Sequence, residues 1–264
     1  MATVNVSNWN EFVTALGVSG DTVVLPENAE WDMNAILPYG LTANVSIACS
    51  KIEGNGTRIK NLNLNGYCFQ ASGNDIKYFR NLLCTDWIAN GEFFYLRYGS
   101  EFYACAMSGI TAGSCIVDCN NNYENSKAVF ISCSFNIESS SNSFTFTYGT
   151  SDKYYCRIEV HASNATTSNP IGTNLIFCEL ILYFPNVTTI TSSYYKGCTM
   201  RGNMTNVTTE SSWTGDWKGH PTVYVETMFD SSYTPRKPDH FIAVTDEQMK
   251  TASYLAGLDF PIAG

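Results

Sequence analysis

Between Tyr103 and Met200 one short pattern returns at a nearly fixed interval: an apolar residue, any residue, Cys, any residue, an apolar residue. It reads Tyr103-Ala-Cys105-Ala-Met107, Ile131-Ser-Cys133-Ser-Phe135, Tyr154-Tyr-Cys156-Arg-Ile158 and Ile176-Phe-Cys178-Glu-Leu180, with a weaker copy around Cys198 and Met200. Successive cysteines are 28, 23, 22 and 20 residues apart. Each copy alternates with period two, which places Cys and its two apolar neighbours on one face of a strand. A strand recurring at this spacing, with no helical pattern between copies, reads as one turn of a solenoid whose strands stack in parallel about 4.8 Å apart. The five cysteines then form a column inside the coil, where Cys serves as a small buried hydrophobe.

A chain of 264 residues, 44% hydrophobic and 14% aromatic, can bury a core and is not mainly disordered. Its net charge of -9, with 15 Lys and Arg, argues against nucleic acid and against anionic membrane surfaces as partners. No apolar run is long enough to span a bilayer, and the first basic residue is Lys51, so no secretory signal is expected. The ten cysteines, spread at repeat spacing, are expected as free thiols. Cys115 and Cys119 form a C-x3-C pair with no second pair or nearby His, too weak a pattern for zinc, and neither metal nor cofactor is expected. The Asn-x-Ser/Thr triplets at Asn44, Asn55, Asn164, Asn186, Asn203 and Asn206 read as a by-product of a composition rich in Asn, Ser and Thr.

Residues 1–20 are expected to form an N-terminal cap, with Ser7 as N-cap and Trp9, Phe12, Val13 and Leu16 on one helical face. A coil region from 21 to 206 opens with the strand signal Asp21-Thr-Val-Val-Leu25. Val45 to Cys49, Ile59 to Leu64, Ile76 to Tyr78 and Leu82 to Cys84 supply further coils, with Gly54-Asn-Gly56 and Asn65-Gly66 as turns of positive φ. About nine coils give a rod on the order of 40 Å long. The long interval before Cys133 predicts a protruding loop around Asn120 to Asn122. Residues 207–264 are expected to be a cap and oligomerisation segment. It holds an aromatic stretch (Trp213, Trp217, Tyr224, Tyr233) that reads as a lid, with a binding surface as the alternative. The capping box Thr245-Asp-Glu-Gln248 starts a closing helix, and the apolar tail Leu258 to Ile262 is expected to dock on this chain or on a second copy.

The N-terminal helix, the Gly-Asp-Thr-Val-Val-Leu strand and the coils with Gly-Asn-Gly-Thr and Ile-Lys-Asn-Leu steps resemble proteins of the pectate-lyase-like superfamily. The resemblance covers about residues 1–206, and the Thr-Asp-Glu-Gln-Met ending with its Phe-Pro-Ile tail is similar to structural proteins of phages and prophages. It implies an all-β fold: a single-stranded, right-handed parallel β-helix with a short N-terminal capping helix and a C-terminal cap ending in a helix. Two functions follow from it. One is a non-catalytic virion component, tail- or fibre-like, a homotrimer made in the host bacterial cytoplasm that meets other virion proteins and a host or glycan surface. The alternative is a polysaccharide lyase or glycoside hydrolase. Of the enzymes' motifs only Arg58-Ile59-Lys60 is present; the Asp cluster for calcium, the Arg-x-Pro-x-x-Arg element and the Asn-Thr-Asp, Asp-Asp and Gly-His-Gly patterns are missing. Neither His220 nor His240 joins a nucleophile motif.

Aligning the coils on their cysteines names the outward columns: Ser134, Arg157, Glu179 and Thr199 in one, Asn136, Glu159, Ile181 and Arg201 in the next. His161 falls beside Glu138 and Tyr183. Arg157, Glu159, His161, Glu179, Tyr183 and Arg201 are therefore the ligand-contact candidates. Glu159 and Glu179 are the best carboxylate pair for glycoside hydrolysis, and an exposed ladder of alternating charge is the other reading of the same residues. The enzyme question stays open at this point, leaning towards no catalysis, and no catalytic residue is assigned.

Overall fold

Alternating inward and outward residues become short strands on three faces of a parallel β-solenoid in the computed structural model. It describes residues 2–71, 73–119, 126–166, 170–172, 174–190, 194–210, 221–235 and 240–251. Among these, the first face stacks nine strands, from Thr3–Asn5 to Tyr194–Lys196, which marks about nine turns. The second stacks ten, from Glu30–Asp32 to Phe241–Val244, and the third five, from Val45–Ser46 to Thr147–Tyr148. The parallel ladder runs past both expected limits of the coil region. Thr3–Asn5 pairs with Thr22–Val24, while Thr222–Val225 and Phe241–Val244 extend the second face beyond residue 206.

The helix Trp9–Leu16 connects the first two strands of the first face, and its Trp9, Phe12, Ala15 and Leu16 are buried. Trp9 and Phe12 meet Trp31 with ring centroids 6.5 and 5.7 Å apart, covering the open end of the core. Its N-cap is Asn8, not Ser7. The Asn8 side chain accepts the Glu11 N–H at 3.0 Å, while Ser7 donates its hydroxyl to the Glu11 carboxylate at 2.8 Å. Two adjacent cap-forming residues made the start ambiguous by one position. At the other end Thr245 and Gln248 form the expected capping box on Asp246–Met249. Trp213, Trp217, His220, Asn120 to Asn122 and the tail Leu258 to Ile262 lie outside the described residues.

The cysteine column exists, with one correction. Cys105, Cys133, Cys156, Cys178 and Cys198 are all buried free thiols, but each lies at the corner between the first and second faces rather than mid-strand. The residue before each is left-handed: Ala104, Ser132, Tyr155, Phe177 and Gly197 have φ between 51° and 54°. That one residue turns the chain, so the inward alternation holds only from Cys onward. Tyr103 is exposed and Ile131, Tyr154 and Ile176 are half-buried, whereas Met107, Phe135, Ile158 and Leu180 are buried. Each Cys Sγ faces a carbonyl of the preceding coil, as in Cys133 to Phe102 and Cys178 to Lys153 at 3.4 Å, so the thiol also serves as a weak donor. By register, Thr57 and Leu82 precede the cysteines in this column and Thr222 follows them. Burial pushes the Cys178 and Cys84 thiols well up, which keeps them protonated.

The Asn-x-Thr triplets also prove to be a repeat. Ala162 to Thr166, Phe184 to Thr188 and Met204 to Thr208 are equivalent turns 22 and 20 residues apart, each closed by a backbone bond from its fourth residue to its first. Their Asn side chains bond the preceding coil: Asn164 to the Ser140 carbonyl at 3.1 Å, Asn186 to Ser163 at 2.7 Å and Asn206 to Pro185 at 2.5 Å.

The interior of the first face carries a stack of Phe79, Phe102 and Phe130, with neighbouring centroids 4.5 and 5.0 Å apart. The next residue in that column is Lys153, wholly buried. Its ammonium lies 2.6 Å from Ser151 Oγ and over the Phe146 and Phe130 rings, at 5.0 and 5.7 Å from their centroids. Burial brings the amine down to about 8. Gly172 faces this head group. A Cβ there would meet Ser151, Thr147 and Lys153 within 2.8 Å.

Candidate functional site

The outward columns fall where the cysteine alignment places them. Arg157 lies between Ser134 and Glu179, and Thr199 follows; Glu159 lies between Asn136 and Ile181, and Arg201 follows; His161 lies between Glu138 and Tyr183. Strands Arg157–His161, Glu179–Tyr183 and Thr199–Asn203 thus form the floor of a groove of about 410 Å³. Val225 and Thr227 from the next turn and Asp246 and Lys250 from the closing helix wall it at one end. Gly202 has φ 130°, and a Cβ on it would come 2.0 Å from the Leu182 carbonyl. No other residue could lie in the floor at that spacing.

Five of the six candidates are joined by ion pairs or hydrogen bonds, and Tyr183 joins them by stacking. Arg157 binds Glu179 at 2.8 Å and reaches Glu159 at 3.7 Å. Arg201 binds the other Glu179 oxygen at 3.2 Å, and His161 Nε2 meets Glu159 at 3.2 Å. The His161 ring stacks on Tyr183 with centroids 4.2 Å apart and planes 20° from parallel. Lys250 pairs with Asp246 on the wall. Glu159 and Asp246 in the groove, with Glu179 bound to both groove arginines, balance Arg157, Arg201 and Lys250, so this surface is close to neutral on a chain of net charge -9. These exposed pairs are each worth about 0–1 kcal/mol, so they shape the surface more than they stabilise the fold.

Burial alone would raise the Glu159 carboxyl. Hydrogen bonds from His161 and Asn136, with the charges of His161 and Arg157, outweigh it and hold the group below the usual carboxylate range. A general acid for glycoside hydrolysis requires the reverse, a carboxyl kept protonated near neutrality. What the site offers is paired donors and acceptors beside an aromatic face.

Arg58-Ile59-Lys60 has a structural account. It is a strand whose Arg58 and Lys60 pair with Glu30 one coil earlier, Lys60 at 2.6 Å and Arg58 at 3.8 Å. The wall residues Val225, Thr227, Asp246 and Lys250 were not visible in the repeat, because Thr222 stands where a Cys would have marked the next turn. In comparisons with known proteins, no family model, no curated protein and no solved structure matches the chain, so the fold and this geometry carry the functional reading.

Proposed function

We propose that the chain is a non-catalytic component of a phage or prophage virion, a tail- or fibre-like homotrimeric rod. It joins other virion proteins and contacts a host-surface glycan through the groove on its second face. The observation that most supports this reading is that Glu159, Glu179 and Asp246 are all ion-paired, with Glu159 held ionised, beside a stacked His161–Tyr183 face. Paired planar groups and an aromatic face suit the hydroxyls and C–H faces of a sugar. The virion assignment draws on the resemblance described above and on the rod form.

The alternative, a polysaccharide lyase or hydrolase, is favoured by Glu159 and Glu179 sharing the Arg157 guanidinium. Incubation with a broad panel of bacterial and plant polysaccharides separates the two. Glycan retention that is lost in Tyr183→Ala, without release of reducing ends or unsaturated uronates, is the expected result. Release that disappears in Glu159→Gln or Glu179→Gln would establish the enzyme instead. A monomer in light scattering at micromolar concentration would refute the homotrimer.

A further inference from the structure

The corner residue and the strand that follows it present one outward row: Tyr155, Arg157, Glu159 and His161, with Cys156, Ile158 and Val160 pointing into the core between them. Both ends of the row are aromatic, and each is stacked on the next coil. Tyr155 lies on Phe177 with centroids 5.6 Å apart, and His161 on Tyr183 at 4.2 Å. Tyr155 and Phe177 hold the left-handed corner, with φ 54° and 52°. Bulky side chains are strained there. Earlier coils fill the same corner with Asn28, Gly56 and Asn81 and then with the small Ala104 and Ser132. The fold by itself would select Asn or Gly, so an aromatic pair held against strain, with Tyr155 60% exposed, is there for display rather than packing. Lys196 lies over Phe177, 5.2 Å from its centroid, and Ser132 leaves room beside Tyr155 on the opposite side.

We infer that an uncharged oligosaccharide lies across this row, with one ring on Tyr155, another on the His161–Tyr183 pair and its hydroxyls bonded to Arg157 and Glu159. The inference rests on the reading of the groove as a glycan site and narrows it to a ligand class and a length. Guanidinium and carboxylate already neutralise one another here, so the row offers donors and acceptors without net charge, which suits hydroxyls better than a polyanion. Six residues of near-extended chain separate Tyr155 from His161, at most about 20 Å, the length of about four pyranose rings.

The test uses the full chain on an array of neutral and acidic glycans running from disaccharide to hexasaccharide, with titration of the neutral series that binds. Affinity should rise with length up to about the tetrasaccharide and then level. Tyr155→Asn and Phe177→Asn should each weaken the tetrasaccharide about tenfold, leave the disaccharide unchanged, and raise the unfolding midpoint because the corner strain is relieved. A fall in that midpoint would show the aromatic pair to be structural and overturn the inference. So would affinity that is independent of length, insensitivity to both Asn variants, or a preference for acidic glycans, each of which leaves the groove itself as a glycan site. Binding of no glycan at all would sink both readings.

Discussion

Lys153 sits at the end of a column of phenylalanines with no carboxylate among the described residues bonded to its ammonium, and its effect on stability follows from its chemistry. An amine brought from its ordinary 10.5 to about 8 costs the folded state about 3 kcal/mol while it is charged, at about 1.4 kcal/mol per tenfold change in proton affinity. Below pH 8 the folded and unfolded chains both carry the proton, so the full penalty applies and does not vary with pH. Between 8 and 10.5 the unfolded chain binds more protons, and the folded state gains as pH rises; above 10.5 both forms are neutral and the penalty is gone. Lys153→Met keeps most of the length of the side chain and an apolar, polarisable end beside Phe130 and Phe146, while Ser151 loses one hydrogen bond worth about 1 kcal/mol. The variant should therefore be about 2 kcal/mol more stable than the native chain at pH 7. Thiols that burial pushes up, such as Cys84, Cys115 and Cys178, oppose the trend at high pH, so the measurement is the difference between variant and native chain in urea unfolding under reductant. The advantage should be constant from pH 6 to 7.5 and shrink steadily above pH 8. An advantage that does not change with pH, or a variant less stable at pH 7, would refute the reasoning.

Three further outcomes are expected. Cys156→Thr should unfold within about 1 kcal/mol of the native chain, since Thr57 and Thr222 already fill the same column, whereas Cys156→Asp should lose more than about 3 kcal/mol by burying an unpaired charge; chemical denaturation reads both. Gly202→Val should cost more than about 3 kcal/mol, because its Cβ would overlap the Leu182 carbonyl at a φ that no β-branched residue tolerates, and glycan retention should fall with it. Asn186→Ala should lose about 1 kcal/mol through the broken bond to Ser163, while Glu179→Gln should change stability by less than about 1 kcal/mol because its pairs are exposed.

The repeat was legible because burial is repetitive. One Cys per turn, with an apolar residue two positions later, gave the register of the second face from Ser134 to Arg201, and so the neighbours of every candidate residue. The corner was not legible. An apolar residue two positions before Cys continues the alternation in sequence, yet the left-handed residue between them redirects it, and Ala104, Ser132, Tyr155 and Phe177 are not the Gly or Asn that would signal such a turn. The Asn-x-Thr turns were hidden for a different reason: their triplet has a familiar reading as a glycosylation signal, and only the spacing of 22 and 20 residues, which matches the cysteines, marks them as coil turns. The charged wall of the groove follows from long-range pairing of Thr222–Val225 and Phe241–Val244, for which no local pattern exists.

Corner and column are two halves of one device. The inward residue is constrained by the width of the coil and its carbonyls, and so stays small to medium: Ala, Thr, Leu, Cys five times, Thr. The residue immediately before it points out from a fixed left-handed turn and stays outside the core, so its identity is limited chiefly by backbone strain. Along the rod that position passes from Asn28, Gly56 and Asn81 to Ala and Ser, then to Tyr155 and Phe177, and then to Gly197. Strain alone orders those choices as Gly or Asn first and bulky aromatics last. The aromatics appear only where the adjoining strand also carries Arg157, Glu159 and Glu179, so the departure from the backbone's preference and the polar groove coincide in the same two coils. Two independent columns converging there are what support the proposal that this surface meets a ligand.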